Sequence, residues 1–74
     1  MITPALDHIL ESMVVACRKH LTLSERLLVQ RAMRTRTDLM CALFKPYGGM
    51  EVTHSQCAAI LLAMSKQALA APPN

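Results

Sequence analysis

The sequence has few aromatic residues, few glycines and no long hydrophobic run. Its 74 residues include one Phe, one Tyr and no Trp, so we do not expect the bases of single-stranded nucleic acid to stack on aromatic side chains. The two glycines are adjacent and lack the spacing of a phosphate-binding loop. The longest apolar run covers eight residues, 57–64, whereas a membrane span needs about 20. Nucleotide-binding loops and membrane-spanning helices are therefore not expected.

Cysteine is also sparse, and the start of the chain does not resemble a secretory signal. There are three cysteines, an odd number that does not suit a framework of paired disulfides. No basic segment precedes an apolar segment of the kind that signal peptides contain. We therefore expect a reduced, cytoplasmic protein with free thiols and no membrane partner.

Apolar side chains are present in excess. Hydrophobic residues make up 53% of the chain, above the roughly 45–50% of soluble domains. A chain this short buries only about 60% of the surface that it exposes when unfolded. The surplus must be exposed or covered by another chain, and exposed apolar patches usually mark interaction sites. We therefore expect an oligomer, most simply a homodimer, or an obligate partner.

The basic residues are concentrated in the middle of the chain. The formal net charge is +3, and only Glu25 and Asp38 oppose the positive charges of this segment. Such a concentration can mark a footprint for nucleic acid or for an acidic protein, but it also fits a solvated helix face. The basic residues of the segment are Arg18, Lys19, Arg26, Arg31, Arg34, Arg36 and Lys45.

Helical periodicity and capping signals predict the first two helices. Apolar residues recur on one side of a helix over 4–20, with Thr3 as the expected N-cap. Thr22 and Glu25 have the spacing of a capping box, in which each residue's side chain bonds to the backbone of the other. A second helix is predicted over 23–44, and the proline and glycines that follow it should end it.

A third helix is predicted over 54–70, and no strand pattern appears. Thr53 and Gln56 have the spacing of a second capping box. This helix is apolar over most of its circumference, which is typical of a helix at the centre of its assembly. We therefore predict an all-α protein, a small three-helix bundle that is dimeric, with one domain over 1–70 and a flexible tail over 71–74.

Two Cys–His pairs raise the question of a zinc site. Cys17 and His20 are three residues apart, as are His54 and Cys57, and residues at this spacing share a helix face. In an up-down-up bundle the long second helix would hold the two pairs at opposite ends, so that only a dimer could close the site. The alternative is that both thiols are small apolar core groups. We favour this alternative and expect no metal and no cofactor.

Arg36 lies in the apolar stripe of the second predicted helix. A buried arginine must be paired and hydrogen-bonded, and arginine is enriched at binding hot spots. We therefore expect either an interface arginine, paired with a carboxylate, or a kink near Thr35 or Thr37 that turns Arg36 to solvent. The predicted partner-binding residues of this helix and its end are Arg36, Met33, Met40, Arg31, Arg34 and Lys45.

Residues 55–69 loosely resemble a helix-turn-helix motif in their small and apolar positions. If the resemblance holds, Ser65, Lys66 and Gln67 would open a recognition helix that contacts DNA. Ala63 stands where the motif prefers glycine, however, and an uninterrupted helix explains the same residues. A dimeric DNA-binding regulator is therefore the alternative function.

Enzymatic chemistry is not expected, because no nucleophile is matched to a base and a chain of this size has little room for a ligand cavity of roughly 300–1,000 Å³. The first hypothesis is a small non-enzymatic regulator, adaptor or inhibitor that acts by protein–protein association. Its size and composition suit an inhibitor of the bacterial or phage type, and its basic helix would favour an acidic partner. The expected oligomer interface on the third helix comprises Ile60, Leu61, Met64 and Leu69.

Overall fold

Four α-helices and one short 3₁₀ turn form the regular structure of the described residues. The computed structural model describes residues 4–48 and 50–72, with side chains from residue 11 onward. Each element of this part of the chain is helical, which confirms the all-α prediction. The elements are α1 (Pro4–His20), α2 (Leu23–Thr35), α3 (Thr37–Phe44), a 3₁₀ turn (Lys45–Tyr47) and α4 (His54–Ala70).

Both predicted capping boxes are present. The Thr22 N–H donates to Glu25 Oε1 at 2.8 Å, and the Glu25 N–H donates to Thr22 Oγ1 at 3.2 Å. At the start of α4 the Thr53 N–H donates to Gln56 Oε1 at 2.9 Å, and the Gln56 N–H donates to Thr53 Oγ1 at 3.1 Å. These bonds satisfy N–H groups that have no partner inside the helix. The expected N-cap Thr3 lies outside the described residues.

The single helix predicted over 23–44 is two helices, because the backbone breaks at Arg36. Arg36 has φ −130° and ψ 45°, outside the helical region. The hydroxyl of Thr37 donates to the Met33 carbonyl at 2.6 Å, and the hydroxyl of Thr35 donates to the Arg31 carbonyl at 2.7 Å. Threonine hydroxyls that bond to the carbonyl four residues back compete with the helix ladder and bend helices. A kink at this place was one of the two expectations for Arg36.

The last helix, α4, is the centre of the fold, as its apolar circumference predicted. Each of α1, α2 and α3 packs against it. Val29 of α2 lies in a core cluster with Ala16 of α1 and the first half of α4, and Ala32 lies in a second cluster with α3 and the second half of α4. Helix α2 therefore runs along α4 in the same direction, and α3 runs back toward the start of α4. None of the helices among the described residues is long and apolar enough to cross a membrane.

Small side chains let the helices approach α4 closely. Ala16, Ala32, Ala58 and Ala68 are each 0 or 1% exposed. Ser65 is fully buried as well, and its hydroxyl donates to the Leu61 carbonyl at 2.7 Å. A buried hydroxyl with a hydrogen-bond partner avoids the cost of burying an unsatisfied polar group.

Two of the four residues expected at an oligomer interface lie in the core of the chain itself. Leu61 and Met64 are 1% and 5% exposed, while Ile60 and Leu69 are half-buried against the second cluster. The physical reason is that α1, α2 and α3 cover α4 within one chain, so α4 needs no second copy to bury its apolar side chains. The homodimer itself stays a prediction.

Candidate functional site

Four of the seven large apolar side chains that are exposed in the described part of the chain line one groove between α1 and α2. The other three, Tyr47, Met50 and Val52, border a separate cavity. The groove encloses about 530 Å³, and buried Leu61 of α4 forms part of its lining. Four of its apolar side chains are open to solvent: Val14 is 52% exposed, Leu23 63%, Leu27 54% and Met33 40%. Large side chains of this kind stabilise a fold only when they are covered, so their exposure in one groove makes the groove a candidate interaction surface.

The shape of the groove follows from helix periodicity. On α2 the lining residues include Leu23, Leu27, Gln30 and Arg34, which follow the i, i+4, i+7 and i+11 spacing of one helix face. The capping box places Leu23 at the first residue of α2, so this face begins at the helix end. From Leu23 to Arg34 the wall is about 16 Å long at 1.5 Å per residue. A groove of that length accommodates about three turns of another helix.

Arginines border the apolar floor on both walls. Arg18 projects from α1, and Arg26 and Arg34 project from α2. No acidic side chain is among the described residues that line the groove. Within the described part of the chain, Nε of Arg26 is buried and has no hydrogen-bond partner. The groove is therefore apolar in its middle and positive at its edges.

Cys17 lies in the same groove, beside Arg26. Burial raises the pKa of the Cys17 thiol, nearby Cys57 raises it further, and the positive charge of Arg26 partly offsets this rise. Burial also raises the pKa of the Cys57 thiol. Activated cysteines have lowered pKa values, so the environment of these two thiols favours the protonated form.

Of the two Cys–His pairs that raised the question of a zinc site, the structure brings only the two cysteines close together. Cys17 packs against the core cluster that contains Cys57, whereas the expectation put the two at opposite ends of the bundle. The reason is that α1 packs directly on the first half of α4. His20 and His54 are exposed, and among the described residues no three His, Cys, Asp or Glu side chains are grouped to hold a metal ion. Cys57 therefore lies in the first core cluster, and Cys17 packs against that cluster.

Arg36 binds the end of α4 within its own chain. Its Nη1 donates to the Ala71 carbonyl at 3.0 Å, and Nη2 lies 3.5 Å from the Pro72 carbonyl. The expected carboxylate partner is replaced by the main-chain carbonyls of the two residues that follow α4. The kink therefore turns Arg36 toward α4 and not into solvent. These bonds also hold the first two residues of the predicted tail.

The other predicted partner-binding residues are dispersed. Met33 and Arg34 line the groove, and Arg31 is exposed beside it. Met40 is 4% exposed in the second core cluster, because the break at Arg36 turns α3 back onto α4. Lys45 is exposed on the 3₁₀ turn that follows α3 and does not line the groove. The structure therefore keeps two of these residues in one surface and places Met40 where a partner cannot reach it.

The turn that a helix-turn-helix motif requires is absent from residues 55–69. Helix α4 runs unbroken from His54 to Ala70. Lys66 and Gln67 are exposed on it, but Ser65 is fully buried and its hydroxyl is bonded inside the helix. Alanine at position 63 explains the continuity, because alanine is the residue most favourable to helix.

A second cavity corrects the expectation that the chain has little room for one. It encloses about 560 Å³ between α1, the 3₁₀ turn, the loop after it and the start of α4. Cys57 and His54 both border it, but the raised pKa of the Cys57 thiol is the opposite of what a nucleophile requires. Its described lining residues include Ser12, Met13, Phe44, Tyr47, Met50, Glu51, Val52 and Ile60.

The predicted partner-binding residues leave out most of the groove lining, including Val14, Arg18, Leu23, Arg26 and Leu27. A signal for them exists in the sequence. Leu23 and Leu27 are four residues apart and lie off the main apolar stripe of α2, so one helix carries two apolar faces. A second apolar face on a helix whose first face is already in the core indicates a binding surface.

Comparison of the chain with protein-family models, with curated proteins and with solved structures gave no match. No relative therefore suggests a substrate, partner or activity. The groove between α1 and α2 is the feature from which a function can be inferred, because it combines exposed apolar side chains with charges of one sign.

Proposed function

We propose that the chain is a small non-enzymatic regulator or adaptor that acts by protein–protein association, and that the groove between α1 and α2 is its binding surface. The observation that supports this most strongly is the exposure of Val14, Leu23, Leu27 and Met33 in one groove. Covering a half-exposed Leu or Val contributes about 1 kcal/mol, half of what full burial gives. Four such residues contribute about 4 kcal/mol, and burial of the partner's own apolar face adds to this and offsets the entropic cost of association.

The proposed occupant is an amphipathic helix of the partner. A groove between two helices accepts the apolar face of a third helix, whose anchors recur at i, i+3, i+4 and i+7. The wall from Leu23 to Arg34, about 16 Å long, matches a helical segment of about 11 residues. An inhibitor that masks such a helix on its target would need no catalytic group.

A labelled amphipathic peptide tests the proposal. We would use a peptide of about 15 residues with a leucine face and a glutamine face, and follow its fluorescence anisotropy against the protein. A Kd below about 1 mM, equivalent to about 4 kcal/mol, is expected. Leu27→Asp should weaken binding by tenfold or more, because it places a carboxylate on the apolar floor.

Ala42→Asp is the matched control for Leu27→Asp, because Ala42 is exposed on α3 away from the groove. Both variants should keep the circular dichroism spectrum and melting temperature of the parent. Binding that Leu27→Asp leaves unchanged, or an equal loss in both variants, would refute the groove as the binding surface.

The second candidate function is duplex DNA binding through α2. Arg31 and Arg34 border a shallow depression on the outer side of α2 with Gln30, and such side chains can contact phosphates. Affinity for a duplex that falls steeply with salt, and that Arg31→Glu abolishes, would support it. In the absence of a turn in α4, this function would depend on α2 alone.

A further inference from the structure

We infer that the groove between α1 and α2 selects an acidic amphipathic helix, with carboxylates that flank its apolar face and pair with Arg18, Arg26 and Arg34. The inference rests on the proposed function and specifies the partner's chemistry. The apolar floor would bind the apolar face of the helix, and the arginines would favour helices whose flanking residues are acidic over neutral or basic ones.

The position of the charges supports this selection. Arg18 stands on one wall, and Arg26 and Arg34 stand on the other, so a helix in the groove passes between positive groups. No described lining residue is acidic, so none of the described lining residues neutralises these charges. Arginine is suited to this role because its planar guanidinium can bind a carboxylate through two hydrogen bonds.

The spacing of the arginines predicts the spacing of the carboxylates on the partner helix. Arg26 and Arg34 are eight residues apart on α2, or about 12 Å. Carboxylates seven or eight residues apart on a helix that lies along α2 would face both arginines. Nε of Arg26 is buried without a hydrogen-bond partner in the described part of the chain, and rotation of its side chain toward an incoming carboxylate would give this donor an acceptor.

The same charges disfavour the other occupants. A second copy that docked by the same face would bring the arginines of both chains together, and like charges across an interface oppose association. A nucleic acid would meet the arginines but would set its charged backbone against exposed Leu23 and Leu27. An acidic amphipathic helix satisfies both the apolar floor and the positive rim.

Three peptides that share one leucine face and differ in the polar face test the inference: one carries Glu, one Gln and one Lys. At low ionic strength the Glu peptide should bind about tenfold more tightly than the Gln peptide, as expected for a few exposed ion pairs, and the Lys peptide most weakly. The advantage of the Glu peptide should shrink as salt rises, because exposed charges are screened.

Arg34→Gln should reduce the advantage of the Glu peptide severalfold while leaving the Gln peptide's affinity nearly unchanged. Lys45→Gln is the matched control, because it removes the same charge at an exposed position on the 3₁₀ turn. It should leave the advantage intact.

The outcomes separate the two proposals. Equal affinity for the Glu and Gln peptides, or tighter binding of the Lys peptide, would overturn the inference and leave the groove as a helix-binding surface. Failure of all three peptides would overturn the proposed function and the inference with it. Self-association in sedimentation that Leu27→Asp abolishes would show a second copy in the groove and overturn the inference.

Discussion

Replacing Arg36 with glutamine should destabilise the fold by about 1.5 kcal/mol. The bond from Nη1 to the Ala71 carbonyl, 3.0 Å long and partly buried, belongs to the charged class that contributes about 1.5–3 kcal/mol. The contact with Pro72 is exposed and 3.5 Å long, so it adds little. Water can replace part of the lost interaction, which favours the lower end of the range. For a domain of this size the melting temperature should fall by roughly 6–12 °C.

Thermal unfolding followed by circular dichroism measures this effect, with Arg31→Gln as the control. Arg31 is exposed, so its loss should change stability by less than about 0.5 kcal/mol. Arg36→Lys should fall between the parent and Arg36→Gln, because lysine keeps the charge but lacks the planar fork of donors. Equal melting temperatures for Arg36→Gln and Arg31→Gln would refute the role of Arg36 in holding the end of α4.

Four further predictions concern the core, a helix cap and the thiols. Leu61→Ala should lower the free energy of unfolding by about 2–5 kcal/mol by leaving a cavity. Thr53→Ala should lower it by about 1 kcal/mol by removing a cap. Chemical denaturation measures both losses, and equal losses would contradict the placement of Leu61 in the core and of Thr53 at a helix end. A maleimide at neutral pH should label exposed Cys41 before Cys17 and Cys57, as mass spectrometry of timed samples would show. Because burial raises the pKa values of the Cys17 and Cys57 thiols, the thiols of the unfolded chain ionise first, so stability should fall as pH rises through the ordinary thiol pKa of about 8.5. Cys57→Ala should lessen this fall.

Local signals in the sequence predicted the helix ends well. The capping boxes at Thr22 and Thr53 depend on residues three apart, so their geometry is contained in the local sequence. The break at Arg36 was harder to predict, because the two threonines beside it tolerate either a helix or a bend. The contact of Arg36 with Ala71 joins residues far apart in the sequence, so no local pattern reveals it.

The packing direction of α1 and α2 escaped prediction for the same reason. An up-down-up bundle was assumed, and it placed Cys17 far from Cys57. Once α2 ends at Thr35 and α3 turns back, α1 and the start of α4 can pack together. The groove follows from this arrangement: Leu23 and Leu27 could be identified as a second apolar face, but the sequence does not say that α1 supplies the opposite wall.

Chemical-shift mapping tests the central claim most directly. The ¹⁵N-labelled protein would be titrated with the peptide that has a leucine face and a Glu face, and amide shifts would be followed along the chain. We predict that the largest shifts fall on Val14, Leu23, Leu27 and Met33, with little change along α3. Shifts concentrated around Tyr47 and Met50 at the second cavity, or no residue-specific shifts, would contradict the groove between α1 and α2 as the binding surface.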